Sequence, residues 1–500
     1  MSANTQQSQH QPTLGRDVLH LPLVGRFLRH RHGRLALQAL LTLGALALII
    51  DGFVGPQSAA RNLATVTPWV HLRGLVVIVL LLAGNLFCMG CPFTLPRSLA
   101  KRLARRGRRF PQRLRNKWLA IFSLFALFFL YEYLDLWASP WLTAWLIIAY
   151  FIASFVLEAI FTESAFCKYI CPLGSFNMVY STLSPTRIAV KSPDICASCV
   201  GHECVNGSYA PQPVIRLDDI PTGVAGKTRQ VEVAQGPRGA LGCGTELFAP
   251  QIRSNLDCTQ CLDCVRACPH DNVSLFARQP GAELSRANSW PQRWDLSLLA
   301  VALSFMGLSN AFGMAPPYYA LQEWLALSLG ISSEFVALLL IFAVGNLLLP
   351  ALAAIAAAWL SRAATGFQKR DSLRDTVAAF APAFVPLGFG IWFAHYSFHL
   401  LVGPGLIVPV IQEFLGGSGD WQRWSFSLEA GLIGVIQLAV LLVGFFWSLR
   451  LAQKAALRLY RRKALLGLMP WALVYLLLML AAWQIFTLPM EMRGTLELFG

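Results

Sequence analysis

Runs of about twenty apolar residues recur along this chain, and a helix of that length spans the ~30 Å hydrocarbon core of a bilayer. Only 13% of the 500 residues are charged, while 55% are hydrophobic. A soluble domain carries roughly twice that share of charge, so a polytopic membrane protein is expected. The spans fall at about 35–50, 68–87, 118–138, 141–163, 295–313, 333–360, 376–400, 427–449 and 466–488. The first could pass for a signal peptide, but its preceding polar stretch is unusually long and no small-residue cleavage site follows convincingly, so a retained helix is expected.

Charge sets the orientation. The loop at 97–117 holds ten Lys and Arg and no acid, which marks its side as cytoplasmic. The loops "SRAATGFQKRDSLRD" and "RLAQKAALRLYRRK" are basic as well. The opposite loops carry Glu323, Glu413 and Asp420 against Arg423. The bias agrees at each crossing and places the amino terminus inside and the carboxyl terminus outside a bacterial cytoplasmic membrane. The net charge of +15 is explained by those loops, and nucleic acid is not an expected partner because no basic patch sits on a reading module. The expected fold is mainly α, a polytopic helical membrane protein of about nine transmembrane helices with a cytoplasmic α+β two-cluster ferredoxin-like domain. Its parts are a cytoplasmic tail (1–34), a four-helix membrane domain (35–171), the ferredoxin-like domain (172–292) and a five-helix membrane domain (293–500).

All twelve cysteines precede residue 269. Cys258, Cys261, Cys264 and Cys268, followed by proline, reproduce the bacterial C-x2-C-x2-C-x3-C-P run. In that run three thiolates from one tight loop hold a cubane and the fourth serves a neighbouring one. "CASCVGHEC" supplies Cys196, Cys199 and Cys204, with one spacing longer than usual, and Cys243 follows a Gly/Pro-bearing insertion. Crossed ligation assigns Cys258, Cys261, Cys264 and Cys243 to one [4Fe–4S] cluster, and Cys196, Cys199, Cys204 and Cys268 to the other. Zinc usually shows two separated C-x2-C pairs, a reducing cytoplasm disfavours disulfides, and no C-x-x-C-H for a c-type haem occurs.

Four more thiols lie at the cytoplasmic ends of two spans. Phe87-Cys88 and Phe166-Cys167 repeat one pattern, and the second cysteine of each pair, Cys91 and Cys171, precedes Pro92 and Pro172. These four could hold a third iron–sulfur centre, act as a redox-active dithiol pair, or be small buried residues. "CMGCP", "CKYICPLG" and the run at 258–269 together resemble the NapH/NosR/CcoG group of membrane polyferredoxins over about residues 35–275. The resemblance implies paired Cys-Pro motifs at the cytosolic membrane face and a cytosolic two-cluster domain. It also implies electron transfer toward periplasmic reductases, support of their maturation, or copper reduction during oxidase assembly. Cys88 and Cys91 are separated by two residues where the group has three, no periplasmic flavin domain is present, and the last five spans lie outside the match.

Electrons crossing the bilayer need a carrier beyond the cytoplasmic clusters. His395 and His399 share one face of a helix, and His71 sits at similar depth near the outer side. Intramembrane ionisable residues are candidates for function. The three could hold a haem b, line a quinone site, bind another metal, or be interfacial histidines needing no cofactor. His202 and His270 flank cluster cysteines and could tune potential.

The expected function is electron transfer between a cytoplasmic donor, a soluble ferredoxin or reductase subunit, and quinone or a periplasmic redox protein. A metal (copper) reductase or assembly factor is the alternative, with Met490 and Met492 as a weak soft-ligand pair, and a redox sensor is a third reading. No Walker or G-x-G-x-x-G motif is present, so nucleotides would be handled by a partner. Whether such a carrier is itself an enzyme is left open by the sequence.

Overall fold

The computed structural model describes residues 15–30, 32–97, 100, 108–207, 240–286, 290–367 and 372–490. The first fourteen residues of the tail, residues 98, 99 and 101–107 of the basic 97–117 loop, the insertion at 208–239 and Met492 lie outside them. The chain is mostly helical with a small two-stranded sheet. Among the described residues seven stretches are long and apolar enough to cross a membrane. They are Gly33–Val54 (α1), Leu63–Leu82 (α2), then Pro140–Ile160 (α4), Trp294–Phe312 (α9), Glu334–Thr365 (α11), Leu373–Val402 (α12) and Ala430–Phe486. The last breaks at Arg461, whose φ is 47°, into Ala430–Tyr460 (α13) and Ala464–Phe486 (α14). Trp118–Tyr133 (α3) is apolar but has only 16 residues. The sequence reading reaches nine by counting α3, α13 and α14 singly. The connection at 314–332, expected as an outer loop, contains the helix Pro316–Leu329 (α10).

Burial ranks the helices. The apolar window of α12 is 89% buried, against 22% for α1 and for α4. Thus α12 is the axis of the bundle, packed by α2, α9, α13 and α14, while α1 and α4 offer their apolar sides to lipid. Caps fix several starts. Ser139 accepts from the Leu142 N–H ahead of Pro140, and Ser372 forms a reciprocal capping box with Asp375, each satisfying orphan donors of a first turn.

Two π-turns have a chemical cause and lie where site residues sit. In Val66–Leu72 the ring of Pro68 lacks an N–H, and the widened turn carries His71. In Phe166–Ile170 the Cys171 N–H reaches back five residues to the Phe166 carbonyl at 2.7 Å, and Pro172 cannot continue the ladder. That turn carries Cys167. After it, Pro172–Tyr180 (α5) leads into strand β1, Thr186–Val190. β1 pairs antiparallel with β2, Val273–Ala277, in a register running from Thr186 opposite Ala277 to Val190 opposite Val273. Between the strands lie the short helices Pro193–Ser198 (α6), Glu203–Asn206 (α7) and Asp263–Ala267 (α8), which bear Cys196, Cys204 and Cys264, with Cys199 and Cys268 capping the ends of α6 and α8. The amino-terminal segment docks on this module. Asp17 bridges to Phe276 and accepts from the Ser274 hydroxyl at 2.7 Å.

Candidate metal centres and buried histidines

Cys196, Cys199, Cys204 and Cys268 line one cavity, with His270 and Asn272 in its wall. The Asn272 amide donates to the Cys196 sulfur at 3.1 Å. Cys196 and Cys199 are partly exposed and Cys204 is buried. Burial pushes the Cys204 thiol up to about 11. His202 takes a left-handed conformation, φ 46°, and sets its ring edge-on to Phe248.

The second four are Cys243, Cys258, Cys261 and Cys264. Burial pushes the Cys264 thiol up, and Cys243, Cys261 and Cys258 are the charged neighbours that add to it. Left-handed residues Gln260 and Leu262, φ 52° and 63°, curl the loop so that its thiols turn inward. The Gln260 side chain accepts from the Asn85 N–H at 2.9 Å and donates to the Thr186 carbonyl at 3.2 Å. Asn85 in turn donates to the Cys258 carbonyl at 3.2 Å. These bonds pin the loop to the end of α2. The Leu247 N–H donates to the Cys243 sulfur at 3.3 Å.

Cys88, Cys91, Cys167 and Cys171 line a second cavity, shared with Cys261, Arg34 and Arg97. The Gly174 N–H and the Asn177 amide donate to the sulfurs of Cys171 and Cys88 at 3.2 and 3.4 Å. Burial pushes Cys88 up to about 11 and Cys171 up to about 12. A side chain at position 174 would place its Cβ 3.1 Å from the Cys167 carbonyl oxygen and 3.3 Å from the Cys171 Cβ, so glycine permits that close turn.

The structure thus brings the twelve thiols together as three sets of four. Cys261 is grouped with the second set and also borders the cavity of Cys88 and Cys167, and Cys204, Cys258 and Cys264 pack in one buried cluster with Met89. Among the described residues no three His, Cys, Asp or Glu side chains converge on a single metal ion. A polynuclear iron–sulfur centre takes one thiolate on each iron. The donor set, four thiols with N–H groups aimed at sulfur, fits such a centre in all three places.

A buried ionic network adjoins these sets, and sequence reasoning missed it. Arg34 donates to both Asp263 carboxylate oxygens at 2.7 and 2.6 Å. Arg97 lies 3.5 Å from Asp263 and 3.4 Å from Glu158. Lys117 pairs with Asp257. Arg34 heads an apolar span and Asp263 stands inside the cysteine run, a coincidence of opposite charges that could have flagged the contact.

The histidines lie on two packed elements, His71 on the π-turn of α2 and the other two on α12. His71 is buried and faces the Val66 carbonyl at 3.2 Å through Nδ1. His395 and His399 are buried with their Nε2 atoms 3.3 Å apart, and His395 Nε2 is also 3.3 Å from the Met314 sulfur.

No family model matches the chain, and no solved structure does. Over 156 residues it is 23% identical to the Escherichia coli (strain K12) protein named "Putative electron transport protein YccM". That stretch covers 31% of this chain and 33% of that protein, so the chain spans about a third of the length of the relative it matches.

Proposed function

We propose that the chain is a membrane-bound iron–sulfur electron-transfer protein of the bacterial cytoplasmic membrane. Its electrons would pass between a cytoplasmic donor, a soluble ferredoxin or reductase subunit, and quinone or an outer-face acceptor. The observation that carries this reading is the sorting of all twelve thiols into three adjoining sets of four. A single structural metal would need one set, and idle burial would need none to converge. The similarity to a protein named for electron transport supports the same class.

Cys196, Cys199, Cys204 and Cys268 would hold one [4Fe–4S] cluster and Cys243, Cys258, Cys261 and Cys264 the other. Cys88, Cys91, Cys167 and Cys171 would hold a third iron–sulfur centre. Iron–sulfur clusters supply one-electron redox chemistry whose potential follows hydrogen bonds to sulfur, net charge and exposure. The chain contributes those settings. Asn272, Leu247, Asn177 and Gly174 direct N–H groups at ligand sulfurs, which stabilises added negative charge. Arg34 and Arg97 keep positive charge beside the third set. The partly exposed Cys196 and Cys199 place the first set where a soluble donor can approach. The nine-span topology, with this module cytoplasmic, belongs to the same proposal.

The test is an iron and acid-labile sulfide assay on anaerobically purified full-length protein, with EPR of the reduced sample. Three cubanes give about twelve iron atoms per chain. About eight would leave the third set as a dithiol site, and zinc in place of iron would overturn the reading.

A further inference from the structure

Within the membrane half, polar side chains are scarce, and one buried group of them converges. Met314 follows the end of α9, and His395 and His399 lie one turn apart near the corresponding end of α12. Met314 is 1% exposed, His395 0% and His399 5%. His395 Nε2 lies 3.3 Å from both His399 Nε2 and Met314 Sδ. With metal–imidazole bonds of about 2.0 Å and metal–sulfur bonds of about 2.3 Å, donors on one ion stand roughly 3–4 Å apart. The observed separations lie in that range.

We propose that His395, His399 and Met314 form a binding site for a soft univalent metal ion, Cu(I). A thioether joined to two imidazoles selects such an ion over Zn(II) or the hard divalent cations, which take oxygen, or thiolate with nitrogen. Sequence reasoning looked for soft ligands at Met490 and Met492. Met314 was overlooked because it is 81 residues from His395 and only the fold joins them. The buried Glu132 side chain stands beside Gly313, one residue from Met314: a Cβ at 313 would lie 3.1 Å from Glu132 Oε1. Ion binding needs both Nε2 lone pairs, so the proton shared between the rings moves to an Nδ1 position, and no electron is transferred. The site stands apart from the thiol sets and does not depend on their iron.

The test uses full-length, iron-loaded protein in detergent, titrated anaerobically with Cu(I) against a competing chelator and followed by copper X-ray absorption, with iron content measured alongside. Wild type is expected to bind one Cu(I) through two nitrogens and one sulfur beyond what His399→Gln binds. His399→Gln removes a direct ligand, so affinity at this site should fall by more than the roughly 10–100-fold that loss of an outer-sphere partner costs. Met314→Leu conserves volume and should keep the nitrogen shell while losing the sulfur. Equal Cu(I) binding by wild type and a folded His399→Gln would overturn the proposal. So would a sulfur shell unchanged in Met314→Leu, or Zn(II) bound as tightly as Cu(I). Thermal unfolding and iron content of each variant separate loss of the site from loss of the fold.

Discussion

The thiol-bearing module and the thiol-free helices after it solve opposite problems. Among the described residues, six of the nine non-glycine residues with positive φ lie from His202 to Asp271, where the backbone must turn sulfurs inward and spare N–H groups to reach them. The later helices have long regular ladders, from which, among the described residues, only Phe367 and Arg461 depart, both at helix ends. Positive φ in an ordinary residue costs of order 1 kcal/mol or more. The module carries several such residues without a large apolar core, its cluster being smaller than that around α12. On the proposed iron–sulfur reading the module's stability would be tied to what its thiols hold, whereas the helix bundle holds itself together by packing; metal binding of that kind is part of the folding free energy.

That contrast can be broken most forcefully at Cys264. Cys264→Ser should lower the iron content by about four atoms per chain and expose the module to protease, whereas His399→Gln should leave iron unchanged. An equal loss in both would mean that the two halves fold as one cooperative unit. The next largest effect is expected at Asp263, whose carboxylate is paired with buried Arg34 and Arg97. Asp263→Asn leaves both guanidinium groups short of charge in a buried site, a loss of about 3–5 kcal/mol. Denaturation of the module by fluorescence or iron release measures it. In the bundle, Trp392 is fully buried and donates from Nε1 to the Leu303 carbonyl at 2.8 Å. Trp392→Ala should cost about 3–5 kcal/mol through its cavity, while Trp392→Phe, which keeps a ring, should cost about 1–2 kcal/mol. Iron content should hold in both.

What could be read in the sequence follows the same division. Apolar length located most of the helices closely, because a bilayer demands length and little else; the expected span at 295–313 is the helix Trp294–Phe312, whereas α13 runs to Tyr460, well past the expected end at 449. The crossed assignment of Cys204, Cys243 and Cys268 came from the fixed spacing of the run; Cys204 and Cys268 line the cavity of Cys196 and Cys199, while the Cys243 N–H donates to the Cys204 carbonyl at 2.9 Å. Nothing in the spacing spoke of Arg34 meeting Asp263, or of Met314 meeting His395. Those contacts join residues 229 and 81 positions apart, and pairing at that range is set by helix packing. Periodicity also failed at the amino-terminal tail. It read as a polar segment, yet Leu19 and Leu28 sit in the core of the module, too few and too irregular to make a pattern.

The tail offers the mildest test of how far the module depends on contacts other than its thiols. Burial pushes the Asp17 carboxyl up, and the hydrogen bonds from Ser274 and the Leu19 N–H, with His20 nearby, outweigh it, so the group titrates below its ordinary range. A carboxyl depressed in the folded state adds stability above its unfolded pKa, and that stability is lost as pH falls through the folded value. Asp17→Asn should therefore weaken docking of residues 17–28 by about 1 kcal/mol at neutral pH, read as faster amide exchange at Leu19 and Leu28. The gap between wild type and variant should close as pH drops below the carboxyl's lowered value. A gap that persists there would assign the docking to Leu19 and Leu28 alone, and would make the tail an apolar part of the module's core.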